Sequence, residues 1–195
     1  MKIKYSKVFW FDTETGGVDP VKNEIITLAG KMEIAGEIAD VIDIKIRPSS
    51  PEAVSDEALS VNGLTREQIM AFPPAKDAYN ALLSFLGKYI SKFDKTDKAA
   101  MAGYNVHFDQ EFLRALFRRM NDKYFGSWFN NDPIDPLPVL RWLKNCGIIQ
   151  LPNFKLATAC EYFGISLTNA HDAQADITAT RELVLKLASR LEYFE

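Results

Sequence analysis

Apolar residues recur along this chain with two different spacings, and the change from one to the other organises it. Val8, Phe9, Trp10 and Phe11 run together before Asp12 and Glu14, which suits a buried strand over Val8–Thr13. Extended runs follow at Ile25–Ile34 and Ala39–Ile46, punctuated by "AGE" at Ala35–Glu37 and by Asp40. From Pro51 onward the spacing lengthens. Short helical pieces are predicted around Pro51–Ser60 and Thr65–Met70. An amphipathic helix follows over Ala75–Ile90, with Ala78, Leu82, Phe85, Leu86 and Tyr89 on one side. "SKFDKTDK" reads as a loop, and "AAMAGY" (Ala99–Tyr104) as a short buried strand. Helices are expected over Asn105–Met120, Lys155–Phe163 (stopping at Gly164) and Asp172–Leu191. Asp135 with Pro136 reads as a cap and first helical position. Three strands, then helices alternating with strand, imply a single α/β domain over residues 1–195 with a mixed sheet.

Four acids break this pattern. Strand side chains alternate faces, so Asp12 and Glu14 share one face while Thr13 and Thr15 take the other. Gly16 and Gly17 then let the backbone turn and leave room for a close approach. On this stretch alone a solvated strand end with two acids is the plainer explanation. Asp109, however, heads the apolar stripe Phe112, Leu113, Leu116, Phe117, Met120. A charge there is costly unless paired or bound to a metal, although the helix dipole or a salt bridge could also account for it. Asp176 repeats the anomaly ahead of Leu183, Val184 and Leu187, with His171 in the loop before that helix. Gathered in one pocket, four carboxylates would repel one another. Two divalent cations would neutralise them, and an all-oxygen ligand set suits Mg²⁺ or Mn²⁺. Paired ions clamp the attacking and leaving oxygens of a phosphodiester displacement, and a neutral His171 could take the proton of the attacking water.

Composition narrows the classes. A chain of 195 residues, 47% apolar, is long enough for one sizeable core. A net charge of −3 argues against a passive nucleic-acid binder but not against an enzyme with its acids in one cleft. The basic start "MKIKYSK" precedes an apolar run too short for a signal peptide, and no stretch suits a membrane span. Cys146 and Cys160 form no C-x-x-C pair, so a structural zinc site is not expected. The expected setting is a soluble, reducing, cytoplasmic one.

"FDTETG", "YNVHFDQEFL" and "HDAQAD" resemble, in order, the three motifs of the DEDDh 3′–5′ exonucleases. That family includes the proofreading subunit of bacterial replicative DNA polymerase and ribonuclease T. The resemblance implies an RNase H-like fold with a mixed five-stranded sheet flanked by helices. It implies metal ligation by Asp12, Glu14, Asp109 and Asp176, with His171 as general base. Thr15 and Gly16 match positions that contact the terminal nucleotide, and Asn105 and Phe108 match supporting positions of the second motif. "SVNGLT" departs from the family's usual segment, with Asn62 in place of a histidine, while Leu64 would still supply the apolar wedge beside the terminal base.

The leading reading is therefore an exonuclease acting on the 3′ end of DNA, with RNA as the other candidate substrate, and releasing nucleoside 5′-monophosphates. Little chain follows Asp176 compared with the tail by which the proofreading subunit holds its polymerase. A stand-alone nuclease is thus as much expected as one with a polymerase partner; the oligomeric state is open. Taking "DTET" as an aspartyl-phosphate motif would need aspartate at Glu14 and leaves Asp109 and Asp176 unexplained. A catalytically inactive binding or polymerase-accessory module of the same fold would be expected to have lost an acid or the histidine. Arg114, Arg118 and Arg119, and Lys92, Lys95 and Lys98, form clusters that suit a solvated face better than phosphate contact. Trp10 is expected in the core, and Trp128 with Phe129 at a substrate-facing rim.

Overall fold

In the computed structural model, which describes residues 5–167 and 172–191, the first apolar run becomes strand β1 (Lys7–Thr15). Its residues from Val8 to Phe11 are buried on both faces because β1 is an interior strand. Strand β2 (Ile25–Ile34) pairs with it antiparallel, and β3 (Glu37–Lys45) pairs antiparallel with β2. The β2–β3 connection is the two residues Ala35 and Gly36, both at positive φ (52° and 96°). That conformation matches the right-handed twist of a tight hairpin. On the other side of β1, the three-residue strand β4 (Ala100–Ala102) runs parallel to it, giving the order β3-β2-β1-β4.

The sheet thus has four strands among the described residues, not five. Beyond β4, among the described residues, there are two isolated parallel bridges, Ala99 with Phe129 and Ala102 with Ile134. Between those bridges lies Asn131-Asp132-Pro133, where proline has no N–H to give and the Asp132 amide donates to the Asn130 side chain at 3.2 Å. These residues interrupt what would otherwise be a fifth ladder. The same bridges draw Trp128 and Phe129 inward. They are 4% and 1% exposed, packed with Phe9 and Phe85, so neither is a rim residue.

Helices cover both faces. Phe9, Phe11, Leu28 and Met32 pack beneath α3 (Ala75–Gly87) and α4 (Val106–Arg119). After α1 (Asp56–Asn62) and α2 (Arg66–Met70), which close over Ile26, α3 ends three residues earlier than its apolar spacing suggests. On the opposite face Val8, Trp10, Ala29 and Ala102 meet Ile177 of α7 (Ala173–Leu191). That helix also packs on α5 (Pro136–Asn145) and α6 (Leu156–Phe163) through Leu140, Phe163 and Leu183. Buried Glu33 ties the layers together, accepting from Trp10 Nε1 at 3.0 Å and from Arg181 Nε at 2.6 Å. Among the described residues no helix is long and apolar enough to cross a membrane.

Candidate active site

The site forms where β1 outruns its parallel neighbour. β4 stops at Ala102, opposite Trp10, so Phe11 to Thr15 have a strand partner only on the β2 side. At the turn-off a Cβ on Gly103 would come within 2.8 Å of the Phe11 carbonyl; glycine lets the chain leave the sheet there. The gap opened at this carboxyl end of the strands is where ligands enter open α/β sheets.

Two clefts are lined by successive residues of the strand end. Asp12 and Asp176 line a small one of about 140 Å³, together with Trp10, Gly103, Tyr104 and Thr180. Glu14 and Thr15 line a larger one of about 420 Å³, together with Phe108, Val61 and Asn62. Asp109, buried in the first turn of α4, reaches the strand from the opposite layer. Its Oδ1 accepts from both the amide and the hydroxyl of Thr13, at 3.0 and 2.6 Å.

The electrostatics show how crowded these acids are. Burial raises the Asp12 carboxyl well above the usual carboxylate range, and the charges of Asp109, Glu14 and Asp176 raise it further. Asp109 is pushed up to about 7 by burial, against the lowering effect of its two bonds from Thr13, with the charge of Glu14 adding to the rise. Among the described residues no three His, Cys, Asp or Glu side chains are closed into a ready metal-binding group. The donor set nonetheless fits a hard cation: the acids are all oxygen donors, and Asp12 is held where the charges of the other three converge.

The remaining sequence-predicted residues divide. Thr15 turns its hydroxyl onto the Gly17 carbonyl at 2.7 Å. Gly16 is buried, and a Cβ there would lie 2.4 Å from the Ala53 carbonyl, so its missing side chain admits the protein's own loop. Phe108 stands against Phe112 with ring centroids 4.9 Å apart. Asn105 is the exposed residue before α4, at φ 56°. Leu64 packs against the Ile26, Leu59 and Ile69 cluster, while Val61, 71% exposed, lines the larger cleft. Asn62 donates to the Thr15 carbonyl at 3.3 Å. His171 lies outside the described residues; next to it, Asp172 caps α7 by accepting from the amides of Gln174 and Ala175.

Basic residues are mostly engaged elsewhere. One Arg119 nitrogen, Nη2, donates to the carbonyls of Pro20, Val21 and Asn23 at 3.1, 3.3 and 2.8 Å. Arg114 lies over the Phe125 ring, and Lys92 faces the rings of Phe93 and Trp128. Lys92, Lys95 and Lys98 precede β4 and so lie where β1 begins, at the far end of the sheet from Asp12.

Two contributors escaped the sequence reading. Thr13 was placed by alternation on the face away from the acids, yet its hydroxyl holds one of them. Asp135 was legible only as the cap of α5, where it accepts from Leu137 at 2.9 Å. It also accepts from the amides of Asn105 and Val106 at 3.1 Å each, gripping the start of the helix that carries Asp109.

Comparison with known proteins supplies the family. A family model described as Exonuclease matches residues 9–184. The chain is 29% identical over 181 residues to a DNA polymerase III PolC-type of Oceanobacillus iheyensis, a match covering 93% of this chain and 11% of that one. It is 27% identical over 191 residues to ribonuclease T of Buchnera aphidicola, covering 92% of this chain and 81% of the relative. In fold it is similar to E. coli exonuclease I, solved with zinc and single-stranded DNA: TM-score 0.77, 22% identity, covering 96% of this chain and 41% of that one. The chain thus spans about a tenth of the PolC-type relatives it matches.

Proposed function

We propose that this chain, which belongs to the exonuclease family, hydrolyses phosphodiester bonds from the 3′ end of DNA and releases nucleoside 5′-monophosphates. Asp12, Glu14, Asp109 and Asp176 would hold two divalent cations, Mg²⁺ or Mn²⁺, and His171 would be the general base. The observation that carries this reading is the Asp12 carboxyl, placed at the free end of an interior strand where three further acids act on it. So many buried or half-buried carboxylates stay ionised together only with a counter-charge; without one they take up protons, as the raised Asp12 and Asp109 carboxyls do. When bound, the cations would polarise the attacking water and the phosphate oxygens.

The chain's own residues supply the rest. The larger cleft takes the terminal nucleotide, with Thr15 and Glu14 towards its sugar and phosphate and Phe108 and Val61 as apolar walls for the base. Asn62 keeps α1 against the strand end, fixing one wall relative to Glu14. His171, to which we assign the proton of the attacking water, is the neighbour in sequence of Asp172, whose carboxylate caps α7. The free thiols of Cys146 and Cys160 are compatible with a reducing cytoplasm. The PolC-type relatives support DNA as substrate and a polymerase as partner, and ribonuclease T makes RNA the comparison to run.

Matched single-stranded DNA, duplex DNA and RNA, labelled at either end, test this in Mg²⁺, Mn²⁺ and EDTA. Mononucleotides should leave from the 3′ label first, and only with metal. Binding without degradation would identify an inactive module, and shortening from the 5′ end would overturn the reading. His171→Ala should lower the rate on the order of 10²–10⁴-fold while leaving Mn²⁺ binding intact; lost Mn²⁺ binding would instead make His171 a ligand.

A further inference from the structure

We infer that Thr13, on the opposite face of β1 from Asp12 and Glu14, is the positioning residue that presents Asp109 to the metal. The inference rests on the two-cation reading above.

Asp109 comes to the site from a different layer than the strand acids, so something must fix its carboxylate relative to theirs. Thr13 does this with two donors on one oxygen, the amide at 3.0 Å and the hydroxyl at 2.6 Å. Two donors converging on Oδ1 define the plane of the carboxylate, and both favour its ionised form. With Thr13 on Oδ1, Oδ2 is assigned as the oxygen that an ion would take. Any residue but proline could supply the amide; only a serine or threonine supplies the hydroxyl at this reach. Asp109 is 4% exposed and Thr13 is 7% exposed, so water cannot readily stand in for that donor. One strand therefore delivers two ligands from its outer alternation and holds a third through the residue between them. Partners that orient a metal's ligands usually matter to affinity nearly as much as the ligands do.

Thr13→Val deletes the hydroxyl at almost constant shape and keeps the amide; Thr13→Ser restores it. Mn²⁺ titration by calorimetry should show binding weakened about 10- to 100-fold in Thr13→Val and near wild type in Thr13→Ser. Melting in EDTA checks that both are folded. If Thr13→Val does not fold, Thr13→Ala, equally without a hydroxyl, takes its place in the titration. A merely structural threonine predicts the converse, a lower melting temperature in EDTA with Mn²⁺ affinity unmoved, and that result overturns the inference. A wild type that binds no Mn²⁺ overturns the metal reading itself, and the two failures are distinguished by the wild-type titration alone.

Discussion

Asp109 is at once a buried charge and the acceptor of two bonds from Thr13, and its substitutions should separate these properties. Asp109→Asn removes the charge but keeps an oxygen for Thr13. In EDTA it should melt higher than wild type, by about 2–4 °C for each kcal/mol of repulsion relieved. Asp109→Ala leaves the Thr13 hydroxyl without its acceptor in a buried place and should melt lower. Thermal melts of the three proteins in EDTA decide it, and an Asn variant less stable than Ala would contradict the argument. The pH dependence has a defined sign. Burial pushes the Asp109 carboxyl up to about 7 in the folded chain, against about 4 when unfolded. Between these values the native state holds more protons than the unfolded one, so stability falls as pH rises through that window. Asp12, raised in the same direction, adds to the fall. The melting temperature in EDTA should therefore decline from about pH 5 to about pH 8, with a shallower slope for Asp109→Asn.

Helix α4 is positioned at its start by a residue outside it. No α4 cap comes from Asn105, which has no capping side-chain bond. Asp135 does the work from α5, taking the amides of Asn105, Val106 and Leu137 on one carboxylate. Asp135→Ala should cost about 2 kcal/mol or more, since two helix starts lose their acceptor where a single cap is worth roughly 1. Chemical denaturation measures this, and a loss below half a kcal/mol would mean that water substitutes freely. Sequence reasoning found the helix and the Asp135 cap because both follow local spacing. It could not find the grip on α4, which depends on two helices meeting thirty residues apart in sequence.

Across the molecule, what was legible was what periodicity controls. The first three strands, the stripe from Phe112 to Phe117 and buried Trp10 all follow from spacing. The fourth strand was visible as an apolar stretch, but the fifth came only from the resemblance, and Asn131-Asp132-Pro133 reduces it to two bridges. At the site the acids stood out because each contradicted its own element's pattern. Thr13 did not, because a threonine on a strand contradicts nothing and its partner is 96 residues away. At Gly16 the close approach that the sequence suggests includes the protein's own loop, with the Ala53 carbonyl where a side chain would be. Burial of Glu33 between Trp10 and Arg181 was equally invisible, since each looks ordinary in its own strand or helix.

The grip of Arg119 on the loop between β1 and β2 has a mechanical consequence. Asp109 and Arg119 stand at opposite ends of one helix, separated by roughly 15 Å at 1.5 Å per residue. Arg119 holds three carbonyls of the loop whose residues Val18 and Asn23 line the larger cleft. The wall of that cleft and the buried acid are therefore the two ends of a single strut. Displacing the wall loads α4 along its length, so the loop's opening motions should be slow and shared with the helix. Arg119→Ala uncouples them: amide hydrogens of residues 18–23 should exchange faster while those of β1 keep their wild-type protection. Exchange read by mass spectrometry would show it, and uniform acceleration across the sheet would mean instead that Arg119 holds up the whole fold.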